Sequence, residues 1–347
     1  MEQLFLSGYT RKNNKGIHIF DVEYDIDRNI KFSKNQLIEE SSPTYLAKSA
    51  NGDRLFSITA RDGGGVASYK KENGKYVLVD TLAGMIKEPC HLYFDEKKNL
   101  VYSSNYHMGR LDIIGVDDNL ELERKSTIQF NGKGKVSPDQ DSSKCHMSIK
   151  DPFDKYLIVI DLGDDAVHTY YITEDGNHRL ISTYKTEAGM GPRHIVFSKD
   201  GRKAYLIGEL NSRIDILNYD FSSGEFSYVD SISTIPNDYD GKNTAAAIKI
   251  SSDGEFLYAS NRGHNSIAVF KILEDGSLEL LQLLKTEGDT PRDFNFNSDE
   301  RFVFIGHQNG DYVKVFKRNK KTGKLEYLKG MDIEAAETVC VMEYNLR

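Results

Sequence analysis

The sequence predicts an all-β protein: a seven-bladed β-propeller with four antiparallel strands in each blade. The first observation is a short segment that recurs seven times, at intervals of 46 to 55 residues. Its copies begin at Pro43, Pro89, Lys144, Pro192, Ala245, Pro291 and Thr338. The second observation is that tight-turn pairs such as Asp200-Gly201 and Asp253-Gly254 separate the apolar runs. A fixed period of short strands and turns is the signature of a propeller or solenoid.

Each repeat contains four strand-like runs. Two apolar runs flank the first turn, a third run follows, as at Ser266–Lys271, and a weaker fourth run comes last, as at Leu278–Leu284. This order is typical of an antiparallel blade. The sequence has no apolar stretch of 18 residues and no sustained 3.6-residue periodicity, so we expect few helices.

The seventh repeat is split between the two ends of the chain. Thr338–Tyr344 has the pattern of a first strand, whereas the matching later strands are Gln3–Ser7, Gly16–Tyr24 and Lys31–Ile38. Pairing of the C-terminal strand with Gln3–Ser7 would close the ring and remove its free sheet edges. We therefore expect one propeller domain spanning residues 1–347.

Composition narrows the classes of partner and the compartment. The formal net charge is −8 and the basic residues are scattered, so nucleic acid is not an expected partner. Met1 leads almost directly into a strand, and we expect neither a signal peptide nor a membrane span. Cys90, Cys145 and Cys340 lack metal-ligand spacing and fit small strand positions in a reduced, cytoplasmic protein. The absence of Trp argues against repeats of the WD40 class.

The repeat predicts which residues meet at one mouth of the central channel. In a propeller the first strand of each blade lines the channel, and the second strand ends on the face where the first begins. Histidine occurs at one repeat position three times, at His91, His146 and His194. The same mouth is predicted to receive Tyr9, Thr44, Tyr45, Arg61, Cys90, Asn105, Tyr106, Lys144, Cys145, Asp161, Arg193, Glu209, Ala246, Ala247, Asn261, Arg262, Arg292, Asp293, His307, Gln308, Val339 and Cys340. The two longest inter-blade connections, Asn131–Ser143 and Ile235–Thr244, are predicted on this face as well.

These residues suit acid–base chemistry on an anionic small molecule. A neutral histidine such as His146 accepts a proton from water at neutral pH, and an ordinary pKa predicts a rate that falls below about pH 6.5. Arg193 and Arg262 would stabilise an oxyanion or grip a phosphate or carboxylate. Alternatively, the arginines pair with Glu209 and other acidic groups in a purely structural ring. A metal site built from Asp161, Asp164, His146 and Glu209 is a further alternative, but no cofactor or metal is expected because tight ligand spacing is lacking.

At these residues the chain resembles the lactonase propeller family, typified by the bacterial cycloisomerase-type 6-phosphogluconolactonases. The resemblance runs from Leu4 to the C-terminus in constant order and spacing. The matching stretches are Asp151-Pro152 to Asp161-Leu162-Gly163-Asp164, Gly191-Pro192-Arg193-His194, Glu209-Leu210-Asn211-Ser212, Ser260-Asn261-Arg262-Gly263-His264-Asn265-Ser266-Ile267, Pro291-Arg292-Asp293-Phe294 and Gln308. Many members carry Pro-His-x-His where this chain has Ser143-Lys144-Cys145-His146. The first histidine of that motif is therefore replaced by Lys144.

The resemblance implies hydrolysis of 6-phospho-D-glucono-1,5-lactone to 6-phosphogluconate, in the oxidative pentose phosphate pathway. It implies that His146 activates water, Arg193 stabilises the oxyanion and Glu209 orients His146 or relays its proton. Arg262 and Arg292 would hold the phosphate. The substrate-binding residues expected on this reading are Lys144, His194, Asn261, Arg292 and Gln308.

Two rival functions remain open at the level of sequence. The fold also resembles a fungal carboxymuconate cycloisomerase, whose His, Arg, Glu and Arg positions would fall on His146, Arg193, Glu209 and Arg262. That reading implies a dicarboxylate substrate. A non-catalytic propeller that binds a partner on its face is the other rival, although such a face would favour apolar rims. The base itself is either His146 or Glu209.

Overall fold

The structure is a computed structural model that describes residues 2–25 and 29–345. Its strands are, in chain order, β1 (Glu2–Gly8), β2 (Gly16–Tyr24), β3 (Ile30–Glu39), β4 (Leu46–Lys48), β5 (Arg54–Thr59), β6 (Gly65–Glu72), β7 (Lys75–Leu82), β8 (His91–Asp95), β9 (Leu100–Asn105), β10 (Arg110–Val116), β11 (Leu122–Gln129), β12 (Cys145–Lys150), β13 (Leu157–Asp161), β14 (Ala166–Ile172) and β15 (His178–Lys185). They continue with β16 (Pro192–Phe197), β17 (Lys203–Gly208), β18 (Arg213–Asp220), β19 (Glu225–Ser233), β20 (Thr244–Ile250), β21 (Phe256–Arg262), β22 (Ser266–Ile272), β23 (Leu278–Lys285), β24 (Pro291–Phe296), β25 (Phe302–His307), β26 (Tyr312–Arg318), β27 (Leu325–Tyr327), β28 (Ile333–Glu334) and β29 (Thr338–Asn345). In these residues helix is limited to one 3-10 turn, Arg61–Gly63.

The strands form seven antiparallel sheets, one for each blade. Blades 1 to 6 are β4–β7, β8–β11, β12–β15, β16–β19, β20–β23 and β24–β27, and blade 7 has the order β29-β1-β2-β3. The predicted seven-bladed propeller with four-stranded blades is therefore confirmed. Blade 6 differs by one short extra strand, because β28 also pairs with β26.

Blade 7 closes the ring as the split repeat predicts. Strand β29 pairs antiparallel with β1 over its whole length, placing Leu4 opposite Glu343 and Leu6 opposite Val341. Every residue of β1 is buried, although its sequence position is terminal. The hydrogen-bond ladder thus satisfies backbone groups that would otherwise form two free edges.

Apolar side chains fill the space between neighbouring blades. The described residues form seven hydrophobic clusters, and each one joins two adjacent blades around the ring. Between blades 7 and 1, for example, Phe5, Leu55 and Tyr76 are almost fully buried. Burying one large apolar side chain stabilises the fold by about 1.5–3 kcal/mol, so every interface helps to fix its two blades. Inner strands such as β1, β9 and β13 are buried at every position, so they supply contacts to the blade on each side.

The first strands of the blades lie side by side around the centre of the ring. Strand β4 contacts β8, and the series continues through β12, β16, β20 and β24 to β29. Residues at the beginnings of these strands therefore converge despite their wide separation in sequence. No helix among the described residues is long and apolar enough to cross a membrane.

Candidate active site

Five of the first strands, β12, β16, β20, β24 and β29, have a β-bulge or register shift near their beginning. In β12 the pairing with β13 skips from Cys145 to Met147, which leaves His146 as the extra residue. In β16 and β24 the skipped residues are Arg193 and Arg292. A bulge adds one unpaired residue and re-aims its side chain, and bulges are common beside functional sites. The bulges thus explain why these side chains depart from the regular alternation of side chains between the two faces of a strand.

These side chains border a cavity of about 290 Å³ at the centre of the ring. All seven blades contribute to its walls. The lining residues are Tyr9, Arg11, Thr44, Tyr45, Glu88, Pro89, Cys90, Tyr106, His107, His146, Arg193, His194, Glu209, Arg262, Arg292, Asp293 and Val339. The four residues predicted to carry catalysis, His146, Arg193, Glu209 and Arg262, therefore border one space. So do His194 and Arg292 from the predicted binding set.

One carboxylate is shared by two arginines in the wall of the cavity. The Oε2 atom of Glu209 lies 2.8 Å from Nη2 of Arg262 and 3.0 Å from Nε of Arg193. All three side chains are largely buried. This geometry directs the Glu209 carboxylate to the two guanidinium groups and makes it their counter-ion. The expected contact in which Glu209 orients His146 is replaced by these two ion pairs, because two buried cations attract the carboxylate more strongly than a neutral ring does.

Electrostatics keep this triad in its charged form. Burial opposes ionisation of Glu209, but Arg262, Arg193 and Arg292 together leave its pKa below the usual value. Burial and the two other arginines lower the pKa of Arg193 to about 9, so Arg193 remains a cation at neutral pH. The ion-paired ring that the sequence offered as a structural alternative is thus present between these three residues. It also places two cations against the cavity, which suits chemistry on an anion.

Arg193 is held rigidly by further contacts. Its Nη1 atom donates a hydrogen bond to the carbonyl oxygen of Ala246, 2.8 Å away, and lies 3.2 Å from Nε2 of His194. The equivalent first-strand positions of blade 5 are Ala246 and Ala247, both fully buried. These small side chains leave room for the guanidinium to reach the backbone of the next blade. Arg193 is therefore oriented by the propeller itself before any ligand binds.

The three histidines of the repeat form one buried cluster. The rings of His146 and His194 have centroids 5.3 Å apart, and those of His91 and His194 are 5.9 Å apart. Burial, followed by the charges of Arg193, Arg292 and Arg262, lowers the pKa of His146 well below its usual value. Burial lowers the pKa of His194 in the same direction and that of His91 to about 3. The sequence-based expectation of an ordinary pKa for His146 is therefore wrong, because desolvation and three nearby cations oppose its protonation.

One ring nitrogen of His146 makes no hydrogen bond inside this cluster. Its Nδ1 atom is buried and has no hydrogen-bond partner among the described residues. The ring packs edge-on against Tyr106, with centroids 5.9 Å apart, and only 3% of the residue is exposed. A neutral imidazole can donate a hydrogen bond from one ring nitrogen and accept one at the other, so an unpaired nitrogen leaves one of these two bonds unmade. Since Nδ1 is out of reach of solvent, His146 can exchange a proton with a molecule in the cavity only through Nε2.

Three residues predicted to bind substrate lie outside the cavity wall. Lys144 extends over the ring of Tyr106, with Nζ 5.3 Å from the centroid. The side chain of Asn261 is buried and bonds to Thr234, so it fastens the connection between β19 and β20 to β21. Gln308 accepts a hydrogen bond from Nη1 of Arg292 at 3.0 Å. Gln308 therefore acts on the cavity through Arg292, whereas Asn261 supports the backbone.

Some residues that line the cavity cannot be identified from the sequence repeat alone. Arg11, Glu88 and His107 line it, yet they belong to connections outside the repeated strand positions. The two long connections 131–143 and 235–244, in contrast, contribute nothing to the lining. Gln140 ties the first to Leu162 and Asp165, and Asn243 ties the second to Ser212 and Asn261. The signal that would have found Arg11 is its position two residues beyond Tyr9, the predicted strand end.

The residues of the alternative metal site are divided between two places. Asp161 and Asp164 lie near His168, with candidate ligand atoms within 4.8 Å of one another, whereas His146 and Glu209 line the cavity. The Oδ1 atom of Asp161 accepts backbone N–H groups of Lys144, Gly163 and Asp164, and Lys185 pairs with Asp164 at 2.7 Å. Asp161 thus braces the chain just before His146, and the four residues proposed from sequence do not form one coordination sphere.

The fold and this site define the class of protein: a closed seven-bladed propeller with a small, arginine- and histidine-lined cavity at its centre. The family described as "Lactonase, 7-bladed beta-propeller" matches residues 3–343, and the chain belongs to this family. The 6-phosphogluconolactonase of Bacillus subtilis (strain 168) is 32% identical over 347 residues, which cover 97% of both chains. The crystal structure of a protein from Lactobacillus plantarum is 38% identical, with a TM-score of 0.94 and 99% of each chain covered. The periplasmic gluconolactonase of Pseudomonas aeruginosa, at 24% identity, shares the fold, with a TM-score of 0.91 over 100% of this chain and 99% of its own.

Proposed function

We propose that this protein hydrolyses 6-phospho-D-glucono-1,5-lactone to 6-phosphogluconate without a cofactor. The observation that supports this most is that His146, Arg193 and Arg262 border the same small cavity. Membership of the lactonase family and the 32% identity to a 6-phosphogluconolactonase support the substrate class. The reaction is a step of the oxidative pentose phosphate pathway, and on this proposal the protein acts in the cytoplasm.

In the proposed mechanism His146 is the general base. Its Nε2 atom takes a proton from water while the water oxygen forms a bond to the lactone carbonyl carbon. Arg193 stabilises the negative charge that develops on the carbonyl oxygen, because its guanidinium is already fixed by Ala246. The tetrahedral intermediate then collapses and the bond between the carbonyl carbon and the ring oxygen breaks. His146 returns the proton to this ring oxygen, which becomes a hydroxyl group of the open-chain product. Glu209 remains the counter-ion of Arg193 and Arg262 throughout.

The low pKa of His146 fits this role when substrate charge is included. In the free site three arginines oppose protonation of the imidazole. A bound phosphate carries about −1.5 to −2 charges at pH 7, so it offsets part of that field and makes the imidazole a stronger base. The chemical demand is also modest, since general-base catalysis contributes on the order of 10² to 10⁴-fold and the lactone opens readily in water.

The test is turnover of freshly generated 6-phosphogluconolactone, followed by proton release and corrected for spontaneous hydrolysis. We expect a rate that is proportional to enzyme concentration and saturates with substrate. The matched comparison is a muconate-type lactone under the same conditions, which tests the cycloisomerase alternative. Absence of enzyme-dependent hydrolysis of the phosphorylated lactone would overturn the proposal.

A further inference from the structure

The cations that line the cavity fall into two electrostatically different pairs. Arg193 and Arg262 share the carboxylate of Glu209 and are both largely buried. Arg11 and Arg292 also line the cavity, but neither has a carboxylate within ion-pair distance among the described residues. Arg292 donates to the neutral amide oxygen of Gln308. Excess positive charge is therefore concentrated at Arg11 and Arg292.

Tyr9 brings these two unpaired cations together. The guanidinium carbon of Arg11 lies 3.6 Å from the centroid of the Tyr9 ring, and that of Arg292 lies 6.0 Å from it. Cation–π contacts of this kind orient a guanidinium without neutralising its charge. Arg11 consequently keeps its guanidinium donors for an anion, and Arg292 keeps those that Gln308 does not use.

The segment that carries Arg11 is fastened to the rest of the propeller. The backbone N–H of Tyr9 donates to the carbonyl oxygen of Glu337 at 3.2 Å, and that of Lys12 donates to its carboxylate at 2.8 Å. The N–H of Thr10 donates to Ser42 Oγ at 3.3 Å. These bonds join the β1–β2 connection to the β28–β29 and β3–β4 connections, so Arg11 is positioned by fixed backbone.

The acidic groups that line the cavity are engaged on other walls. Asp293 accepts the backbone N–H of Val341 at 2.9 Å and lies 4.0 Å from Nζ of Lys249. Glu88 acts electrostatically on His107, on the side of the cavity formed by blade 2. Glu209 is committed to Arg193 and Arg262. The Tyr9 side is thus where an added dianion would meet the least repulsion.

We propose that Arg11 and Arg292, oriented by Tyr9, form the subsite for the phosphate group of the substrate, while Arg193 and Arg262 face the lactone. This inference rests on the proposed function. It keeps Arg292 at the phosphate and puts Arg11 in the place of Arg262, which the family resemblance had implied. A phosphate presents several oxygens to two bidentate guanidinium groups, and such charge-assisted bonds are among the strongest in proteins. Arg11 then determines the preference for a phosphorylated over an unphosphorylated lactone.

The test compares Arg11→Gln with wild type on 6-phosphogluconolactone and on unphosphorylated glucono-1,5-lactone. We expect KM for the phosphorylated lactone to rise about tenfold or more, as loss of a charge-assisted pair implies, with kcat nearly unchanged. KM for the unphosphorylated lactone should stay the same. Lys15→Gln is the matched control, because it removes an exposed cation from the same connection without touching the cavity. An equal rise of KM for both lactones, or an equal effect of the control, would overturn the subsite.

Calorimetric binding of the product separates this proposal from the proposed function. We expect 6-phosphogluconate to bind wild type about tenfold or more tightly than gluconate, and Arg11→Gln to abolish that difference. If neither lactone is turned over but this Arg11-dependent preference is present, the function is wrong and the subsite holds. If turnover is present but the preference is absent, the subsite is wrong and the function holds.

Discussion

The carboxylate of Glu209 and the guanidinium of Arg262 approach to 2.8 Å across the boundary between blades 4 and 5. Glu209 follows β17, whereas Arg262 ends β21. Their side chains meet because both second strands end at the same mouth of the ring. The pair also holds Arg193 through the same oxygen. One acidic residue thus sets the charge balance of the wall that contains the proposed oxyanion site.

Glu209→Gln should lower both stability and activity. The substitution leaves two buried guanidinium groups without a counter-ion, and removing one member of a buried pair costs on the order of 3 kcal/mol. Chemical denaturation should show this loss in the free energy of unfolding, together with a reduced kcat. Glu279→Gln, at an exposed position of β23, is the control and should change neither. Wild-type stability in Glu209→Gln would show that the ion pairs contribute no net stabilisation.

His146→Ala should reduce kcat by about 100-fold or more, as expected for loss of a general base, while the protein remains folded. His146 lines the cavity and is buried, whereas His178 is exposed at the beginning of β15. His178→Ala is therefore the matched control, with wild-type activity expected. Circular dichroism and thermal unfolding would verify the fold of both variants. Full activity in His146→Ala, with loss in a folded Glu209→Gln, would instead make the carboxylate the base.

The pH profile should lack the inflection of an ordinary histidine. The pKa of His146 is lowered well below 6.5 by burial and by Arg193, Arg292 and Arg262, so its neutral form persists as the pH falls through that value. We expect kcat/KM for unphosphorylated glucono-1,5-lactone, which reports the free enzyme, to stay level between about pH 7.5 and 6.0, outside the range where the depressed imidazole titrates. Stopped-flow measurement against spontaneous hydrolysis is the readout. A twofold loss centred near pH 6.5 would contradict the electrostatics of the site.

Glu343→Gln should stabilise the ring closure at high pH. Glu343 lies in β29, and burial, followed by the charge of Glu2, raises its pKa to about 7. Below pH 4.5 the carboxyl is protonated in both states, whereas between pH 4.5 and 7 the unfolded chain ionises first. Stability from this group is therefore lost as the pH rises through 7.

The gain from Glu343→Gln should be about 1 kcal/mol at pH 8, after allowance for solvent screening of this partly exposed group. It should be absent at pH 4. Urea unfolding at the two pH values would measure it, with Glu326→Gln on exposed β27 as the control. An equal effect at both pH values would point to a cause other than ionisation.

The sequence could predict the blades because each repeat encodes its own strands and turns. It could also place His146, Arg193 and Arg262 near one mouth, since repeat position determines distance from the axis. It could not predict the bulges that turn His146 and Arg193 inward, because a bulge depends on pairing with the next strand. Nor could it predict the pKa of His146, which depends on burial and on charges from other blades.

Blade 7 is assembled from both ends of the described chain, so its formation must follow synthesis of the other six blades. Strand β1 leaves the ribosome before the rest of the sheet framework, yet β29, its inner partner, is produced after all of blade 6. Until then the apolar surface of β1 has no cover on that side. Since unpaired strand edges promote aggregation, we expect the inner edge of β1 to stay open to such contacts until β29 has been made.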